Sequence, residues 1–178
     1  MHCLFENGGE AYVNGIRFTG MLSAHYSDIL VAQHLPKRLP PGGDDGVNVK
    51  YGMALITHAR FENNLKDAVD FDLVKKGPTI SESLFLNNGN DGMDISGSTL
   101  TLRDNLLREN RDKGISIGEN SRVTLIDNRI DGSMMGVAVK DLSRAEISGG
   151  EIRGNRAGVA VYNKKPLFGG ASAVVTET

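Results

Sequence analysis

The feature that most constrains this chain is a repeat. A small residue followed by an apolar-x-apolar triplet recurs in DDGVNV, KDAVDF, NDGMDI, DKGISI, MMGVAV and RAGVAV, with the small residue at Gly46, Ala68, Gly92, Gly114, Gly136 and Gly158. The spacings are 22, 24, 22, 22 and 22 residues. A fixed period of this length implies stacked units, none of which can bury its apolar face alone. The triplets place Val47 and Val49, Met93 and Ile95, or Val137 and Val139 on one side of the chain. This period of two is the pattern of a strand with one buried face. A second alternating pair follows (Leu100 and Leu102, Val123 and Leu125, Ala145 and Ile147), then one apolar position at Phe61, Phe85, Leu107, Ile130 and Ile152. Three short strands per repeat are therefore predicted.

The chain has 178 residues, 39% hydrophobic but only 6% aromatic and without Trp, which points to one domain with a core of small aliphatics. Three residues past the single apolar position lie Asn64, Asn88, Asn110, Ser133 and Asn155. Stacked at about 4.8 Å, such amides can hydrogen-bond along a ladder and are expected to hold a left-handed turn. Upstream, LSAHYSDILVAQHL aligns with VNVKYGMALITHARF, putting Leu22 over Val47, Ala24 over Val49 and Tyr26 over Tyr51. The excess residues there fall in PKRLPPGG, whose prolines cannot continue a ladder and are expected to loop out. A leucine-rich repeat has a similar period, but it needs a convex segment, whereas RENRDKGISI returns at once to a strand. The expected fold is all-β: a right-handed single-stranded parallel β-helix of about seven rungs of about 22 residues. Residues 1–20 would form an irregular first rung, 21–166 the repeats, and 167–178 a tail or cap.

A formal charge of −2 gives no general attraction to nucleic acid or to an anionic membrane, and no stretch is long and apolar enough to span a bilayer. The lone Cys3 excludes an internal disulfide. The start, MHCLFENGG, carries no signal-peptide pattern and reads like the middle of a repeat. A missing N-terminal domain, or end-to-end association of copies through open strand edges, is expected.

The phasing over residues 20–165 resembles the β-helix regions of the pectate-lyase-like superfamily. These include the copper-nitrous-oxide accessory type and regions attached to spore-coat-type kinase domains in secreted bacterial proteins. The resemblance implies a secreted, periplasmic or cell-surface setting and a polysaccharide partner. It does not choose among lyases, epimerases, hydrolases and inert adhesins. The Gly-His-Gly and Arg-Ile-Lys of polygalacturonase-like hydrolases are missing, although Asp44 and Asp45 echo their paired aspartates; the epimerase-type Asp-Pro-His is missing too.

Chemistry is concentrated in the first rungs. The residue two past each anchor points outward and gives the column Ser23, Asn48, Asp70, Asp94, Ser116, Ala138, Ala160; the residue four past gives His25, Lys50, Asp72, Ser96, Gly118, Lys140, Tyr162. Asp45, Asp67 and Asp91 form a third column just before the strand. Carboxylates repeated at one rung spacing repel, so they must be offset by cations, bind a metal or hold raised pKa values. Three readings follow. The first is a solvated ion-pair network in which Lys50 offsets its neighbours and Asp45, Asp67 and Asp91 cap turns. The second is a calcium site of hard oxygens from Asp70, Asp72 and Asp94, such as the superfamily resemblance implies for uronate binding. The third is metal-free acid/base chemistry, with His25 or Lys50 removing a proton, Asp70 acting beside them, and Ser23, Asn48, Asp72 and Asp94 holding substrate. A triad of Ser23, His25 and Asp28 is disfavoured, because side chains two apart on a strand run parallel. Ala138 and Ala160 are expected to leave a smooth face farther along, suited to lying against a glycan.

The function expected is an extracytoplasmic module that contacts polysaccharide or serves as scaffold. The alternative is a lyase or epimerase acting on uronate-containing glycans. An enzyme would need the loop 36–44 folded over the acidic face.

Overall fold

The computed structural model describes residues 9–32, 44–74, 77 and 79–177. They form a parallel β-solenoid. Its first sheet contains Gly20–His25, Asp45–Lys50, Val69–Asp72, Met93–Ser96, Lys113–Gly118, Met135–Lys140 and Ala157–Tyr162. The second contains Ile29–Ala32, Ala54–Thr57, Thr79–Ser81, Thr99–Arg103, Arg122–Ile126, Arg144–Ser148 and Ser172–Thr176, and a five-stranded third sheet runs from Arg60–Glu62 to Glu151–Arg153. The predicted upstream register holds: Leu22 pairs with Val47, Ala24 with Val49 and His25 with Lys50.

The inward column is continuous, with Val49, Phe71, Ile95, Ile117 and Val139 all fully buried. Phe61 and Phe85 stack with ring centroids 5.2 Å apart. The anchors are glycines because rungs approach closely there: a Cβ on Gly114 would lie 2.4 Å from Ile130 Cγ2 and 2.7 Å from the Gly136 carbonyl oxygen.

The asparagine ladder forms as expected, with one correction. Asn64 Nδ2 donates to Asn88 Oδ1 at 2.7 Å, and Asn88 Nδ2 to Asn110 Oδ1 at 2.8 Å. The backbone N–H groups of Asn64 and Asn88 donate to the same two oxygens, each at 3.2 Å. The left-handed residue is the one before, at Asn63, Asn87 and Glu109 (φ 60, 55 and 55°). That residue makes the bend and so turns the next side chain inward, where it replaces a missing strand partner. The other two corners repeat the device without having been anticipated. Serines run along one, with Ser98 N–H donating to Ser121 Oγ and Ser121 N–H to Ser143 Oγ, both at 3.0 Å. Along the other, Ser83 N–H donates to Asn105 Oδ1 and Asn105 N–H to Asn128 Oδ1.

The two ends differ from expectation. Ala11–Val13 and Ile16–Phe18 pair antiparallel as a hairpin instead of continuing the coil, because Asn14 and Gly15, both at positive φ, form a tight turn. At the other end Ser172–Thr176 pairs parallel with Arg144–Ser148, so the tail completes a seventh rung. Residues 1–8 and most of the expected loop 36–44 lie outside the described residues.

Replacing Asn88 by Ala removes the acceptor of two buried Asn64 donors, while Asn110 Oδ1 keeps only the backbone N–H of residue 88. The expected loss is about 2–3 kcal/mol of unfolding free energy in a urea titration.

Candidate functional site

The outer surface of the first sheet gathers the ionisable columns as the repeat predicts. Ser23, Asn48, Asp70 and Asp94 are register partners on four consecutive strands, as are His25, Lys50, Asp72 and Ser96. Parallel pairing without slippage sets each side chain one rung from its equivalent, so neighbours along the solenoid axis interact more than neighbours along a strand.

A hydrogen-bonded run follows from that stacking. His25 Nε2 lies 3.2 Å from Asn48 Oδ1, and Asn48 Nδ2 donates to Asp70 Oδ2 at 2.6 Å. Asn48 is completely buried by its neighbours although it faces away from the core. In the adjacent column, Lys50 Nζ sits 2.7 Å from Asp72 Oδ2. Burial works against the Lys50 ammonium, but the hydrogen bond and charge of Asp72, with Asp70 beyond, outweigh it and raise its pKa above the ordinary value. The third column caps backbone as one of the sequence readings held. Asp67 N–H donates to Asp45 Oδ1 at 3.3 Å, Asp91 N–H to Asp67 Oδ1 at 2.7 Å and Lys113 N–H to Asp91 Oδ1 at 3.0 Å.

Packing these carboxylates together makes them hard to ionise. Burial, reinforced by the charges of Asp72, Asp45 and Asp94, pushes Asp70 up to about 8. Burial and Asp91 raise Asp67 to about 7; burial raises Asp91 to about 6, against the pull of Lys113. Asp94 Oδ1 is buried without a hydrogen-bond partner, so this face is short of donors.

Two lysines complete the face: Lys140, expected in the outward column, and Lys113, which was not foreseen. Lys113 occupies the next place in the column of Asp45, Asp67 and Asp91; its Nζ is 3.4 Å from Asp91 Oδ1 and also pairs with Asp112. Continuing that column by one rung would have found it. Lys140 lies back over Gly118 and donates to Ser116 Oγ at 2.7 Å. Where a smooth face was expected, Ala138 is fully buried and Ala160 partly exposed, and one rung earlier Lys140 lies across Gly118. Gly118 and Ser116 are the gaps that accept Lys140.

Other candidate groups are occupied elsewhere. Ser23 Oγ donates to the Gly20 carbonyl oxygen and accepts from Gly20 N–H, while Asp28 Oδ1 accepts Met53 N–H, so Ser23, His25 and Asp28 form no triad. Tyr26 and Tyr51 stack at the corner 4.7 Å apart with rings within 5° of parallel. His58 pairs with Glu82 at 2.8 Å. Among the described residues no three His, Cys, Asp or Glu side chains are placed to hold a metal ion. Asp70 Oδ2 is engaged by Asn48 and Asp72 Oδ2 by Lys50, so the oxygens assigned to calcium do not fit it as arranged. Asp44, at the edge of the loop expected to cover this face, pairs with Lys66 at 2.6 Å. A separate groove of about 1030 Å³ crosses the third sheet between Glu82, Asp104 and Asp127 on one side and Arg108 and Arg153 on the other.

Comparison with known proteins places these rungs. The family model described as "Right handed beta helix region" matches residues 45–173. Comparison with the curated proteins finds no match. Among solved structures, the periplasmic alginate epimerase AlgG is similar at 19% identity with a TM-score of 0.59, covering 87% of this chain and 40% of that one. A single mutant of it matches at 19% identity and a TM-score of 0.64, covering 88% and 40%. A double mutant matches at 17% and 0.61, covering 97% and 46%. The chain thus spans less than half the length of these proteins, and at such identity the likeness shows the fold.

The pKa shifts give a sign for pH dependence. Asp67, Asp70 and Asp91 have folded values above the ordinary aspartate value near 3.9. The folded state therefore binds extra protons between about pH 4 and pH 8, and stability falls as pH rises through that window. The urea midpoint should drop from pH 5 to pH 8.5, and Asp70→Asn should flatten the drop and be more stable than wild type at pH 8.5.

Proposed function

Because the chain belongs to the right-handed β-helix region family, we propose that it is an extracytoplasmic module whose first-sheet face contacts polysaccharide. The observation that carries this reading is the run from His25 through Asn48 to Asp70, with Asp94 on the next rung. Through the buried amide of Asn48 it fixes His25 and Asp70 along the solenoid axis, with Asp94 one rung on. An extended polymer likewise offers hydroxyl groups at regular intervals along one direction, so several weak contacts add along its length. The face is rich in carboxyl acceptors and poor in donors, which favours a glycan that donates through its hydroxyls. The periplasmic setting of alginate epimerase AlgG supports placing the module outside the cytoplasm.

The raised pKa of Asp70 supports a second reading, lyase or epimerase action on uronate-containing glycans. An acid that keeps its proton near neutrality, beside an imidazole one hydrogen-bonded amide away, is a suitable pair for moving a proton at a sugar carbon. In that reading Asp70 and His25 exchange protons with substrate, Asn48 holds both in place, and Lys50, Asp72, Asp94 and Ser23 position the ring. A calcium-assisted form would use Asp70, Asp72 and Asp94, and would require Lys50 to release Asp72.

Affinity electrophoresis against neutral β-glucans separates these readings from a bare scaffold. Wild type should be retarded and Asn48→Ala, which breaks the run, should migrate more freely; equal mobility with and without glycan would overturn the contact reading. For turnover, absorbance of unsaturated product and epimer content should be followed on pectate, alginate and glucuronan, with and without millimolar calcium. Activity lost in both Asp70→Asn and Lys50→Ala supports the enzyme, and equal signals in all three proteins exclude it.

A further inference from the structure

The three outer faces carry different charge. The first is crowded with carboxyl groups, and the groove on the third mixes both signs, with Arg108 paired to Asp131 at 3.7 Å and Arg153 to Glu151 at 3.2 Å. The second sheet differs from both. Its outward positions on the middle rungs are Thr79, Thr101 and Thr124 in one column and Thr99, Arg122 and Arg144 in the next, with Arg103 in the third. Among the described residues only Arg144 of these is ion-paired, with Glu146 at 3.1 Å, and Glu146 continues the threonine column as the register partner of Thr124. Arg103 and Arg122 are exposed and have no ion-pair partner among the described residues.

Register makes this arrangement costly. Arg122 is the direct partner of Arg144, and like charges opposite one another in a sheet destabilise it unless something neutralises them. Glu146 offsets one of the two. The residual positive charge borders a cleft of about 370 Å³ walled by Thr99, Thr101, Thr124, Arg122 and the Arg144–Glu146 pair, with Arg103 in the adjoining column outside it. Hydroxyls that donate and accept, next to guanidinium forks, are the groups that recognise a carboxylate set among sugar hydroxyls.

We propose that the second-sheet face around Arg103, Arg122 and the threonine column binds a carboxylated polysaccharide, with the carboxylates on the arginines and ring hydroxyls on the threonines. This surface is separate from the first-sheet face and offers guanidinium groups where that face offers carboxyl groups, so one solenoid can hold an anionic chain on one side and a hydroxyl-donating chain on the other. A carboxylated glycan fits better than nucleic acid. Among the described residues the face offers no aromatic side chain for base stacking, and the whole chain carries a formal charge of −2, against the strongly basic patch that a phosphate backbone selects.

The test is affinity electrophoresis of the full chain in gels containing polygalacturonate, its methyl ester, or a neutral glucan, with a single-stranded DNA oligonucleotide titrated separately. Wild type should be retarded by polygalacturonate at low ionic strength and less so as salt is added. The Arg103→Gln/Arg122→Gln variant should bind about tenfold more weakly. Arg122→Lys should recover part of the loss, and Arg111→Gln, which removes an exposed charge on the turn between the third and first sheets, should leave binding unchanged. Circular dichroism melting confirms that each variant is folded; both arginines are exposed, so little change is expected. Equal retardation of the double variant and wild type would overturn the proposal, as would equal binding of the methyl ester, tighter binding of DNA, or no retardation of wild type. The neutral-glucan gel reads the first-sheet face separately, so absence of retardation there with polygalacturonate retardation present counts against the first-sheet reading alone.

Discussion

Every structural and chemical property of this solenoid depends on one constraint: each side chain sits over its equivalent in the next rung, about 4.8 Å away. A group that is complementary to itself is reinforced by that arrangement. Asparagine is such a group, since its amide donates on one side and accepts on the other, and Asn64, Asn88 and Asn110 form a buried ladder. Serine meets the condition at a second corner by accepting a backbone N–H from the preceding rung. Flat aromatic rings meet it by stacking, as in Phe61 over Phe85 and Tyr26 over Tyr51.

Charges do not meet the condition, and the outer faces show the consequences. Where aspartates stack on the first sheet, they are buried among one another and resist ionisation, with Lys50 and Lys113 offsetting part of the charge. Where arginines stack on the second sheet, one acid answers two cations. A purely structural face has no need of either arrangement, since the threonines on the same sheet supply the β-propensity and cross-strand contacts without repulsion. A column of crowded carboxyl groups on one face and one of incompletely paired arginines on another therefore mark the two faces as candidates for binding.

Much of this was legible in the sequence because a solenoid converts periodicity directly into contact. The 22-residue period placed Val47, Val69, Met93, Ile115 and Val137 in one buried column, and the same counting put Asn48, Asp70 and Asp94 in one outward column. The ion pair of Lys50 with Asp72 followed from the same alignment. Counting failed where the chain left the period. The hairpin at Ala11–Phe18 and the late return of Ser172–Thr176 to the second sheet depend on turns that interrupt the repeat.

The sequence alone determined the stacking, the three strands per rung and the membership of each column, because those follow from a period and an alternation. Tertiary structure alone decided how the long side chains lie. Lys140 reaches back over Gly118 to Ser116, and Lys113 enters the aspartate column. It also decided which residue bends at each corner and which carboxyl groups keep their protons. Those outcomes depend on distances and burial between rungs, which a one-dimensional pattern orders but does not measure.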